Sequence, residues 1–504
     1  MQTLPSDSFT QFIGNSGENV TAAAISHPPL SEAKRKLLGK FLSGDLQPAD
    51  SHQQAITRRP ADAIVPLSLA QEQIWSVLQS NPAAPPLYNE FITIHRHGPM
   101  DVAALQRALT EIVRRHEAWR TTFHPAAQYP VQVVAPPPEK IPLAVIDLRG
   151  SSRSTRDREA ALVATIEARI PFDLARGPLV RAALIQLDDE EYRLHLTFHQ
   201  LIVDGFSVFR ILPSELVTLY EAFVDGKPSP LPALPVQFGD FACWQRRMFT
   251  SERLHRQLTY WKNHLSGCPP ALDWPKGISR PAAPSFRGAI HPKLISNELA
   301  LMLRARSQKH GVTLFMTLLA GFAALLHLYS EQDDIVIGTL APSGRHRPEV
   351  KDLLGYFMNP LPLRLRFQDD PTFPQLLSQA REVTSGALAN DDVPLHYLLN
   401  EMPEMHHPVR HPFFQVALSL APELPLLPPG WDQTFMDFES GAARWDLYLE
   451  FNQRPNGLML RAQYNPDILS LSAVEKTLQD LEALLEAATS NPTVPISELR
   501  GRWL

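Results

Sequence analysis

Cysteine is almost missing from these 504 residues. Only Cys243 and Cys268 are present, so a disulfide framework is not indicated and the reducing cytoplasm is the expected setting. The opening residues lack an apolar signal core, and no apolar run reaches the ~18 residues of a membrane-spanning helix. A net charge of -6 provides no basic surface for a polyanion, so neither nucleic acid nor an anionic membrane is an expected partner. Glycine–lysine phosphate loops are absent, which argues against ATP chemistry. His406, His407 and His411 lie close in sequence, but no cysteine or carboxylate completes a ligand spacing, so no metal is expected. What remains is the composition of an ordinary globular protein, 44% hydrophobic and 20% charged, long enough for two or more domain-sized units. Proline is plentiful at 47 residues, about double the usual share, and implies many rigid connections.

The chain is organised around Tyr192 to Ser207, YRLHLTFHQLIVDGFS. Tyr192, Leu194, Leu196 and Phe198 alternate with Arg193, His195, Thr197 and His199, the period of a strand with one buried face. Asp204-Gly205 breaks the strand and Ser207 opens a helical pattern through Phe223. His199 and Gln200 therefore close a strand, Asp204 sits in the turn, and a rigid element aims their side chains. Strand alternation points His199 and Gln200 to opposite faces.

Ahead of this centre, residues 1–62 read as an appendage. The first 28 are polar and poor in large apolar residues, and a basic helix is expected at 31–43, where Leu30, Leu37, Leu38 and Phe41 recur at helical spacing. That helix is either a linker resting on the body or a docking element for an upstream partner. The body begins at Pro66–Trp75, with Ser68 as a helix cap. Asp101–Phe123 reads as an amphipathic helix running through Arg120 into a short strand. Residues 268–293 are rich in proline and glycine and divide an N-terminal lobe, 63–267, from a C-terminal lobe, 268–504. The second lobe contains helices near Glu298–His310 and Thr313–Ser330, a strand from Asp334, and a final leucine-lined helix around Leu478–Leu485.

HQLIVDG, His199 to Gly205, resembles the HHxxxDG signature of nonribosomal peptide synthetase condensation domains, members of the chloramphenicol-acetyltransferase-like superfamily. Other stretches resemble that family's motifs in order. They are Ser68–Trp75, Arg115–Phe123, Pro235–Gln245 with Trp244, Gly338–Val350 with Arg345, Gly355–Asn359, Asn390–His396, Arg410–Gln415 and Trp445–Leu447. Three departures stand out: Gln200 replaces the second histidine, Leu395-His396 stands where Phe-Glu is usual, and Met358 and Pro360 flank Asn359.

The resemblance implies an α/β pseudodimer of two chloramphenicol-acetyltransferase-like lobes in a V shape around a central tunnel. It implies transfer of a donor carrier-bound acyl thioester to an amine or hydroxyl on a second carrier, in an assembly line of nonribosomal peptide or hybrid polyketide-peptide type. The partners would be donor and acceptor acyl or peptidyl carrier proteins and neighbouring modules. No cofactor would be bound by the domain itself, because the carriers bring the phosphopantetheine. The catalytic positions map to His199, Gln200, Asp204 and Gly205, the structural ion pair to Asp204 and Arg345, and further motif residues to Ser207, Arg120, Asn359 and Trp244. A neutral amide takes no proton at neutral pH, so Gln200 leaves two readings besides a coenzyme A-dependent acyltransferase. One is transfer by positioning and hydrogen bonding; the other is a degenerate platform that recruits carriers or tailoring enzymes.

Overall fold

The computed structural model describes residues 55–499 apart from 83, 128, 282, 408, 436–439 and 455. The basic helix expected at 31–43 and most of the 1–62 appendage lie outside the described residues. Ile56 already belongs to the first core, and its N–H donates to Glu349.

The first half contributes β1 (Val65–Pro66), β2 (Asn89–His97), β3 (Thr121–His124), β4 (Val131–Val134), β5 (Ala144–Asp147), β6 (Val180–Asp188) and β7 (Glu191–His199). The second contributes β8 (Ala289–Ser296), β9 (Asp334–Pro342), β10 (Met358–Arg366), β11 (Val416–Leu420), β12 (Trp431–Phe435), β13 (Leu447–Arg454) and β14 (Gly457–Tyr464). They form a three-stranded sheet, β1-β4-β3, and two larger mixed sheets, β12-β2-β7-β6-β5 and β10-β9-β11-β13-β14-β8. Helices pack on these sheets and two large cores form, the α/β class that the resemblance implies.

The cores do not divide where the composition changes. The helix Ser251–Leu265 precedes residue 268, yet Leu258, Trp261 and Leu265 pack into the second core. Conversely, β12 pairs antiparallel with β2 of the first sheet, and Val350, Leu353, Leu354, Tyr356 and Phe357 join the first core. The division expected at 267/268 is thus crossed in both directions. The proline-rich stretch marks a connection, whereas core membership follows side-chain packing over long separations.

Local chemistry explains the element that carries the central motif. The ladder from Asn89↔His199 to His97↔Glu191 gives β7 a paired neighbour along its length. Beyond it, Gln200–Ile202 make one tight turn and Asp204 accepts from the Ser207 N–H at 2.8 Å, starting the next helix. That helix opens with a wide turn, Ser207–Ile211, before regular α-helix from Leu212 to Val224. Pro213 has no N–H to give the preceding turn, which fits this loosened start.

Candidate active site at the strand end

Asp204 is fully buried and saturated with donors. Its carboxylate accepts Arg345 Nη2 on both oxygens, at 3.0 and 2.9 Å, besides the N–H groups of Ser207 and Phe357. Arg345 also donates to Ser207 Oγ at 2.9 Å and to the Leu353 carbonyl at 3.1 Å. Its guanidinium lies over the Phe206 and Phe357 rings, 4.8 and 4.2 Å from their centroids. Ser207 Oγ donates in turn to the Gly355 carbonyl. Asp204, Ser207 and Arg345 therefore form one network joining residues 141 apart in sequence. Gly205 faces Phe209, whose ring lies 3.3 Å from where a Cβ would stand.

The other residues of the sequence motifs are dispersed. Arg120 donates to the Ala135 carbonyl and lies near Glu117. Trp244 stacks on Phe241 and carries the Arg347 guanidinium on its face at 4.4 Å. Asn359 donates to the carbonyls of Asp391 and Val393, bracing the loop before the helix Leu395–Glu401. All three positions have structural partners away from Gln200.

His199 turns to the other face of the strand end. Its Nδ1 accepts from the Leu201 N–H at 3.2 Å, and burial pushes its pKa down to about 3. A ring so placed is neutral at physiological pH and serves the turn.

Gln200 is 4% exposed. Its side-chain oxygen accepts from Arg444 Nη1 at 3.1 Å, across 244 residues. A guanidinium only donates, so the amide oxygen must face it and the amide NH2 must point away. That NH2 has no hydrogen-bond partner among the described residues. Arg444 is half-buried, with Tyr88 at 5.6 Å and Trp445 at 4.8 Å from its guanidinium carbon. Its segment is held by the Arg287↔Ala442 bridge. Gly288 permits that approach, because a Cβ there would come within 2.1 Å of the Ala442 carbonyl carbon.

Around Arg444 lies a group of residues that the motifs did not single out. Glu90 is half-buried and has no hydrogen bond or ion pair within 4 Å among the described residues. Burial raises its pKa, with Arg444 and Arg461 opposing and Asp204 adding. Burial also raises the phenols of Tyr88, to about 12, and of Tyr356 and Tyr448. Tyr356 lies within the Gly355–Asn359 motif, and at Glu90 the available signal was a carboxylate in the strand that carries Ile92 and Ile94.

Glu450 on β13 is 5% exposed and sits 3.6 Å from Arg461 of β14. Burial, opposed by Arg461 and reinforced by Glu90, pushes its carboxyl up to about 7. The folded value thus exceeds the ordinary ~4.3. Stability from this group is complete below pH ~4 and is lost as pH rises through 7. Glu450→Gln should therefore melt close to the parent at pH 5 and above it at pH 8. The gap should reach at most about 4 kcal/mol at ~1.36 kcal/mol per pH unit. A difference that does not change between pH 5 and 8 would contradict this account.

Among the described residues no group of three or more His, Cys, Asp or Glu could hold a metal ion. None of their helices is singly long and apolar enough to cross a membrane.

The condensation-domain family model matches residues 61–501. The chain is 36% identical over 452 residues to a linear gramicidin synthase polypeptide of Brevibacillus parabrevis, covering 88% of this chain and 6% of that protein. It is 35% identical over 469 residues to the phosphinothricin tripeptide synthetase PhsC of Streptomyces viridochromogenes, covering 92% of this chain and 42% of that one. The chain thus spans less than half the length of these relatives. Among solved structures, the X-domain from teicoplanin biosynthesis matches with a TM-score of 0.76 at 25% identity, over 88% of this chain and 99% of that one. The first condensation domain of the CDA synthetase matches in fold with a TM-score of 0.75 at 22% identity, over 87% and 99%.

Proposed function

The chain belongs to the condensation-domain family, and from that premise we propose that it is an acyltransferase joining a donor carrier-bound acyl thioester to an amine on a second carrier. The observation that carries this reading is the Arg444–Gln200 hydrogen bond, which fixes the amide with its NH2 as the free end. An NH2 held in that way suits a developing oxyanion, and one such donor is worth about 10²–10³-fold in rate.

The cation beside Gln200 also favours the neutral form of an acceptor amine, whose ordinary pKa of about 7.7–8.0 already leaves much of it unprotonated. Positioning of the two reacting ends supplies most of the remaining acceleration, up to about 7–11 kcal/mol. The phosphopantetheine arms belong to the carriers, and flanking modules would supply both.

A second reading has its own support. The solved complex of the X-domain and OxyB from teicoplanin biosynthesis shares this fold at 25% identity. A chain of this kind would serve as a recruitment or gating platform with no transfer. Intact-protein mass spectrometry with loaded donor and acceptor carriers separates the two: transfer predicts growth of the acceptor carrier's mass. A platform predicts carrier or tailoring-enzyme binding with no product.

If transfer relies on positioning by carrier contacts, a short N-acetylcysteamine thioester should react much more slowly than the same acyl group on its donor carrier. Equal rates would favour a free-standing acyltransferase using coenzyme A thioesters.

A further inference from the structure

Gln200 cannot accept a proton, His199 is tied into its turn on the opposite face, and Asp204 is saturated with donors. The acceptor nitrogen must nevertheless lose a proton as it becomes an amide. The β2–β7 ladder brings a carboxylate to the same face as Gln200. Asn89 pairs with His199, and the Gln200 N–H donates to the Tyr88 carbonyl at 2.8 Å, which extends the register by one residue. Opposite residues share a face, so Glu90 and Phe198 line one side and Asn89 and His199 the other; the extended backbone at His199 then carries Gln200 past the strand end to Arg444, whose charge Glu90 also meets. Glu90 is then the diagonal neighbour of Gln200, at a Cα separation of about 7–8 Å.

Resting on the transfer reading above, we propose that Glu90 is a catalytic residue, the proton acceptor for the acceptor amine. The amine nitrogen attacks the thioester carbonyl carbon and forms the C–N bond. The carbonyl electron pair moves to oxygen, where the Gln200 NH2 donates, and the amine proton passes to Glu90. Collapse breaks the C–S bond, and Glu90 returns the proton to the departing pantetheine thiolate, giving amide and thiol.

The surroundings fit this duty. Glu90 spends neither oxygen on a hydrogen bond to a described residue and keeps part of its surface accessible. Burial raises its pKa, and it faces Arg444, Arg461 of β14, Glu450 of β13, Asp204 of the turn, and Tyr356 and Tyr448. The two arginines keep it available as a carboxylate, while burial and the other acids strengthen it as a base.

The test is single-turnover transfer by the full chain. Its substrates are a donor carrier bearing its own acyl group and an acceptor carrier bearing its own aminoacyl group, followed across pH 5–9. Glu90→Gln, which keeps the shape, should fold like the parent and transfer about a hundredfold or more slowly. It should lose the acid limb of the profile and keep only that of the amine. Glu90→Asp should recover part of the rate, and Gln200→His placed in Glu90→Gln should restore it with a limb near the histidine pKa. A folded Glu90→Gln with the parent's rate and profile overturns the assignment while leaving the transfer reading intact. A double variant no faster than Glu90→Gln also counts against it, because a restored base should compensate. If the unaltered chain makes no product, both readings fall together.

Discussion

Replacing Arg345 by alanine is expected to cost about 3–5 kcal/mol of folding free energy, the usual penalty for stranding one partner of a buried ion pair. The guanidinium is 4% exposed in its side chain and Asp204 is 0% exposed, so the stranded carboxylate lies away from bulk water. The loss extends beyond the carboxylate. Arg345 also donates to Ser207 and Leu353 and fills the space between the Phe206 and Phe357 rings. Thermal melting should show the loss as a drop of several degrees or more. Removing both partners, as in Asp204→Leu with Arg345→Met, should cost less than Arg345→Ala alone, because no buried charge is then left unpaired. A parental melting temperature for Arg345→Ala would mean that the pair contributes nothing to holding these distant segments together.

Gln200→Ala should lower transfer about 10²–10³-fold, the value of one preorganised oxyanion donor. Arg444→Met should act in the same direction by a smaller factor, because the amide keeps its donor and loses what orients it. A methionine preserves much of the packing on Tyr88 and Trp445. Gln200→His should match or exceed the parent, since an imidazole beside Arg444 stays neutral and able to accept a proton. These rates are read from acceptor-carrier mass against time. Full activity in Gln200→Ala would remove the amide from the chemistry and leave proximity as the source of acceleration. No product from any form, with carrier binding retained, would favour the platform reading.

Much of the fold can be read locally. Alternation from Tyr192 to Phe198 marked a strand, and Asp204-Gly205 marked its end, because side-chain period and turn chemistry are properties of neighbouring residues. The cap at Ser68 was legible for the same reason. The pairing of Asp204 with Arg345 came through motif order. The core boundary did not: the helix Ser251–Leu265 and strand β12 pack against partners that no local pattern identifies.

The sequence by itself determined that position 200 carries an amide, that a strand delivers it to a turn, and that His199 faces the other way. It also placed a carboxylate at 90 without giving it a partner or a purpose. Only the tertiary structure decided what the amide does, since a guanidinium 244 residues away sets which end of it is free. Only strand register put Glu90 on the face of Gln200. A hydrogen bond reads distance in space, and once a chain folds back on itself, separation along the sequence no longer predicts that distance.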